Sequence, residues 1–126
     1  MATTAFNISG GGKAEYIAFN TTFGQKGTNS NTFNVQKRIN SILITGALGN
    51  YAAANSSYYS VVIYGISESG VSTRLGSIDG TRGAYEKYHA VWGILTVKNV
   101  YKSIKVEAYS VDNQDSNNSV TIIVCA

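Results

Sequence analysis

The sequence predicts an all-β fold, a single antiparallel β-sandwich of about eight strands with a jelly-roll-like character. Three observations carry this expectation. Apolar residues recur at every second position in one short run after another, the spacing that lines one face of an extended strand. The runs are broken by Gly, Asn, Ser and Asp, which take up left-handed backbone or hydrogen-bond their own main chain and so favour turns. No stretch sustains a helical period over three turns, although residues 83–87 have room for one turn. A chain of 126 residues suffices for one core and is too short for two.

Along the chain, residues 1–12 form a small-residue arm or a short edge strand, and the sandwich domain occupies residues 13–126. Within the arm, Ala2–Ser9 has too few apolar side chains for a core of its own, and Gly10, Gly11 and Gly12 act as a hinge. The run Ala14–Asn20 reads as a strand between that hinge and the Gly/Asn loop of residues 24–31. Thr32–Val35 and Ser41–Thr45 read as two short strands, followed by a small-residue loop over Gly46–Asn55. Tyr58–Ile66 has apolar residues on both faces and belongs inside a sheet. The polar turn Ser67, Glu68, Ser69, Gly70 pairs it with Val71–Ile78 as a hairpin. Tyr88–Val97, a turn at Lys98, Asn99 and Val100, and Ser103–Ser110 read as a second hairpin. The polar turn Val111–Asn118 leads to the closing strand Ser119–Cys125, with Val120, Ile122 and Val124 on one face. Trp92 shares a face with Ile94 and Thr96 and is expected to be buried between the sheets.

Charged residues make up 13% of the chain, against about a quarter in an average soluble protein, so Ser, Thr, Asn, Gly and Tyr must cover the surface. Such a surface favours contact with neighbouring subunits or with sugars. The chain has no proline, the residue that often guards sheet edges against pairing with another chain. Both features point to an oligomer. The net charge of +3 comes from scattered bases, of which only Lys37 and Arg38 are adjacent, and this spread argues against nucleic acid as a partner. No apolar run is long enough to span a bilayer and the first twenty residues lack a secretory pattern, so synthesis in the cytosol without a signal peptide and without membrane insertion is expected. Cys125, the only cysteine, cannot form an internal disulfide and reads as a buried inert thiol.

Catalytic chemistry finds little purchase. The one histidine, His89, has no metal-ligand or nucleophile partner at a motif spacing, and no Gly-x-Ser-x-Gly elbow occurs. The oxygen-rich run from Asp112 to Asn118 lacks the bending glycine and closing glutamate of a calcium loop. Gly10, Gly11, Gly12 and Lys13 precede a strand where a phosphate-cradling loop would open a helix. No enzymatic activity, metal or cofactor is therefore expected. Tyrosine is more informative, with nine copies against four phenylalanines, since it couples a flat apolar face to a hydroxyl. Strand propensity accounts for Tyr59, Tyr64 and Tyr109. Tyr51, Tyr85 and Tyr88 lie beside Gly-rich loops and, with His89, are the candidate ligand-binding residues. Phe6 and Ile8 are the candidate partner-binding residues, able to anchor the arm or add a strand to a partner's sheet.

Taken together, the Gly/Asn-rich arm, the hairpin Tyr58–Ile78 and the runs Trp92–Val97, Ser103–Ser110 and Ser119–Val124 resemble the small β-sandwich domains of bacteriophage virions: capsid decoration proteins, head fibres and receptor-binding tips. The resemblance is one of whole-chain texture with no diagnostic motif, and it transfers no site residues. It implies a virion location and a non-enzymatic structural, decoration or attachment role. The implied partners are other protein subunits, as a homo-oligomer or on capsid or tail proteins. The alternative is a carbohydrate-binding, lectin-like sandwich, with Tyr85, Tyr88, His89 or Trp92 stacking on a glycan.

Overall fold

A computed structural model describes the backbone of residues 3–10, 14–23, 27–48, 57–82, 89–110 and 118–126, and the side chains of 16–21, 28–47, 60–79, 91–109 and 119–126. The elements are β1 (Thr3–Gly10), β2 (Ala14–Phe23), β3 (Gly27–Leu48), β4 (Ser57–Ile66), β5 (Ser72–Arg82), β6 (His89–Ser110) and β7 (Asn118–Cys125). All pairings are antiparallel, in the ladder order β1-β2-β7-β3-β6-β4-β5. Among the described residues no helix is long and apolar enough to cross a membrane.

The class is the one that the alternating runs imply, but the described residues form seven strands, because two expected pairs of strands are each one long strand. Thr32–Val35 and Ser41–Thr45 are both parts of β3, and Tyr88–Val97 continues into Ser103–Ser110 as β6. The expected turn at Lys98, Asn99 and Val100 is a kink within β6. There the register between β3 and β6 slips twice, between Asn34 and Lys37 and between Ile39 and Ser41. Gln36 and Lys98 take left-handed backbone at φ 53° and 52°, which absorbs the extra residues and bends both strands together.

The bend makes two layers of one ladder. Ahead of it on β6, and beyond it on β3, residues 41–47 and 91–97 run with β7, β2 and β1. On the other side, residues 27–34 of β3 and 103–110 of β6 run with β4 and β5. Ile42, Ile44, Val120, Ile122 and Val124 of the first layer and Val61, Ile63, Ile104 and Val106 of the second are all buried in one cluster. Phe19 of β2 meets Phe33 of β3 across the layers with ring centroids 4.5 Å apart. Beside them the Asn31 side-chain amide donates to Thr21 Oγ1 at 3.1 Å, so this buried hydroxyl does not lack a partner.

The β4–β5 hairpin closes as the sequence predicts. Gly70 N–H donates to Ser67 O at 2.9 Å, Ser67 N–H to Val71 O at 2.9 Å, and Gly70 adopts φ 87°, the residue that a left-handed turn position favours. The β1 backbone lies at the outer edge of the first layer, with Phe6 opposite Ala18 and Ile8 opposite Tyr16.

Trp92 is the clear correction. It is 73% exposed, whereas Val91 on the opposite face is buried at 2%. The inward set of this strand is Val91, Gly93, Leu95 and Val97, and Trp92, Ile94 and Thr96 face out. Close approach of the layers explains the phase. A Cβ on Gly76 of β5 would lie 2.5 Å from Leu95, and one on Gly93 would lie 2.9 Å from Ile78. An indole has no room in so thin a seam.

Three outcomes follow for urea unfolding and fluorescence. A Cβ at Gly46 would run into the backbone carbonyl of Ser119, which cannot rotate away, so Gly46→Ala should cost on the order of 1–3 kcal/mol. Trp92→Ala should change stability by no more than about 0.5 kcal/mol, as surface substitutions do. In solution dilute enough for the chain to be monomeric, emission from this single tryptophan should be red-shifted and readily quenched by iodide, and a blue-shifted, shielded spectrum there would contradict the exposed indole.

Candidate docking face

The outward residues of the first layer form a sheet face of unusual chemistry. Antiparallel register aligns them in rows across the strands. Tyr16, Cys125, Ser41 and Thr96 make one row, Ala18, Ile123, Leu43 and Ile94 the next, and Asn20, Thr121, Thr45 and Trp92 a third. No charged residue occupies a described position on this face. Ile94 is 65% exposed and Tyr16 37%, which with Trp92 sets three large apolar side chains in solvent on one surface. Between the first two rows lies an open trough of about 500 Å³, lined by Tyr16, Ser41, Leu43, Ile94, Ile123 and Cys125.

The opposite face of the sandwich differs sharply. On β6, the Lys105 ammonium sits 4.6 Å above the centre of the Tyr64 ring and 3.9 Å from Glu107 Oε2. On β5, the Arg74 guanidinium donates to Ser77 Oγ at 2.7 Å, and Ser77 in turn donates to Asp79 Oδ2 at 3.0 Å. Lys37, Arg38, Lys98 and Lys102 gather at the bend. Among the described residues, charge therefore lies on the second layer and the bend and not on the first layer's outer face, the pattern expected where water is to be displaced on one side only.

None of the expected ligand-binding or partner-binding residues has a described side chain. Tyr51, Tyr85 and Tyr88 lie outside the described residues. The backbone of His89 opens β6 opposite Leu48, and its side chain is outside the described set. Phe6 and Ile8 occupy β1 register positions that continue the rows of Ala18 and Tyr16, with their side chains likewise outside that set. Cys125 is half-buried in the trough wall, not sealed in the core. Among the described residues no three His, Cys, Asp or Glu side chains gather as a metal site, and most of the Asp112–Asn118 run falls outside them.

Tyr16, Leu43, Ile94 and Ile123 are functional candidates that the alternating pattern alone does not single out. Their signal is a run apolar on both faces, as in Ser41–Thr45 and Ser119–Cys125. Such a run marks either a strand covered on both sides or one whose outer face has a partner.

No protein-family model matches the chain, and no curated protein matches it in sequence. Solved structures do match in fold. The chain is similar to part of a structure of the infectious bursal disease virus Gx strain, with a TM-score of 0.52 and 15% identity over 98% of this chain and 33% of that one. It therefore spans about a third of the viral chain. It is also similar to the CBM22-1 xylan-binding domain of Paenibacillus barcinonensis Xyn10C, with a TM-score of 0.50 and 11% identity over 98% of this chain and 83% of that one. A third match is the C-terminal family 22 carbohydrate-binding module of Clostridium thermocellum Xyn10B, with a TM-score of 0.50 and 11% identity over 98% and 80% of the two chains. At these identities the likeness is one of fold: a β-sandwich that appears in viral particles and in carbohydrate-binding modules alike.

Proposed function

We propose that this chain is a non-enzymatic structural or attachment module of a virion, working through protein-protein contacts made by the outer face of its first layer. The observation that carries the reading is that face itself. Ile94 is exposed on it and Leu43 and Ile123 are half-buried beside it, branched aliphatic side chains with no described charge among them. Exposed branched aliphatics gain from burial against another protein, at roughly 25 cal/mol for each Å² covered. They gain little from a sugar, whose hydroxyls need hydrogen-bonding groups, and of the residues lining the trough only Ser41 and Tyr16 bring a hydroxyl. The sandwich fold shared with a viral chain agrees with this reading. The edge strand β1, with Phe6 and Ile8, extends the same layer and offers a second means of attachment by strand addition.

One observation favours the alternative of glycan binding. Trp92 is exposed near the start of β6 with Thr45 as its cross-strand neighbour and Thr121 one strand beyond, an indole in a row of hydroxyls, which suits stacking on a pyranose ring.

Two measurements test these readings. Antibody raised against the chain should label virus particles purified from the source of the sequence, and the chain should appear among their proteins by mass spectrometry. Its confinement to the particle-free fraction would overturn the virion role. In affinity electrophoresis through soluble xylan, galactan and β-glucan gels, the chain should migrate unretarded. Retardation abolished by Trp92→Ala would instead establish the glycan reading.

A further inference from the structure

The uncharged face holds both a projection and a recess. Trp92 stands out on β6, while the trough opens over β3 and β7. From strand spacing and rise, the two lie about 12 Å apart. A face that pairs with a copy of itself must carry both halves of every contact, since residue i meets j and j meets i. We infer that a second copy of this chain occupies the face, the two copies packing sheet against sheet about a twofold axis in the plane of contact, with the Trp92 indole of each filling the trough of the other. This rests on the reading of the face as a protein-docking surface and names its occupant.

Several properties of the face select this occupant. With no described charge on it, the face can desolvate only against a surface that is itself uncharged, and its own copy meets that condition position for position. The trough, at about 500 Å³, falls within the range of about 300–1,000 Å³ over which pockets accept compact ligands, and its aliphatic walls at Leu43, Ile94 and Ile123 suit an aromatic ring. Five strands about 4.8 Å apart and some seven residues deep give a face of about 600 Å² per partner, at the low end for a specific interface. The dimer should therefore be reversible, with a dissociation constant on the order of micromolar. Facing sheets pack about 10 Å apart at an angle of about 30°, which lets branched aliphatic rows interdigitate.

The test uses the whole chain, sedimentation velocity over a wide concentration range and the reactivity of Cys125, the single thiol in the trough wall. The wild type should pass from monomer to dimer as concentration rises. Maleimide labelling of Cys125 should slow about fivefold when the total chain concentration reaches about ten times the dissociation constant, because the partner's indole covers the thiol. Ile94→Lys, which puts a charge into the contact, and Trp92→Ala, which removes the projection, should both remain monomeric with Cys125 reacting at the dilute rate. Should Ile94→Lys fail to fold, the concentration dependence of wild-type labelling and the Trp92→Ala variant decide alone. A strictly monomeric wild type would overturn the inference. So would a dimer that persists in Trp92→Ala with Cys125 labelling independent of concentration, which would place the contact on another surface such as the open edge of β6. Cys125 protected by soluble polysaccharide in place of self-association would overturn it too. A monomer that nevertheless labels particles refutes only the self-pairing, and a dimer absent from particles refutes only the virion role.

Discussion

The kink shared by β3 and β6 is the constraint on which the rest of this structure depends. Each of these strands is 22 residues long, so each could extend over about 70 Å, far beyond the width of a small sandwich. The register slips around Val35, Gln36 and Asn40, with left-handed backbone at Gln36 and Lys98, turn the pair through the bend and lay its halves in opposite layers. Every core contact between layers presupposes that turn. Phe19 can meet Phe33, and Ile44 can share a cluster with Val61 and Ile63, only because the front of β3 has been carried across to face its back. Neither left-handed residue is glycine. Their strain, on the order of 1–2 kcal/mol each, is offset by the apolar area that the folded-over ladder removes from water.

The bend also explains which parts of the fold were legible in the sequence. Alternation in Ser103–Ser110 and Ser119–Cys125 places Ile104, Val106 and Ala108 on one face and Val120, Ile122 and Val124 on one face, and all of them are buried. The turn at Ser67–Gly70 is legible because its glycine is needed at a specific left-handed position. Lys98, Asn99 and Val100 carry the same outward signs of a turn, polar residues between two alternating runs, yet they form a bulge. Sequence cannot separate the two, since a reversal and a bulge use the same break in alternation and differ only in whether β3 lies alongside to keep the chain extended.

Trp92 was illegible for a related reason. In the run from Val91 to Val97 both faces are apolar, so period-two reasoning identifies two faces without saying which is inward. The usual tie-breaker is size, with the largest side chain assigned to the core. Here the deciding feature is the opposite one: Gly93 and Gly76 let β6 and β5 approach closely through Ile78 and Leu95, and small residues, not the indole, set the phase. Those two glycines are nearly twenty positions apart in the chain, and nothing in the local pattern couples them.

An exposed apolar face usually signals poor design or a missing partner, and charge placement distinguishes the two. A surface left apolar by neglect would have charges scattered on every side, because Lys, Arg, Asp and Glu are the cheapest way to keep a sheet soluble. In this chain the described charges sit on the turn between β4 and β5, along β5, at the bend and on the rear half of β6. They include mutually supporting sets such as Arg74, Ser77 and Asp79. The first layer's outer face keeps Thr, Ser and Asn at the positions between its apolar residues, polar enough to hydrate in the free protein and neutral enough to bury without an unpaired ion. Segregation of this kind fits a surface that is solvated for part of its life and covered for the rest.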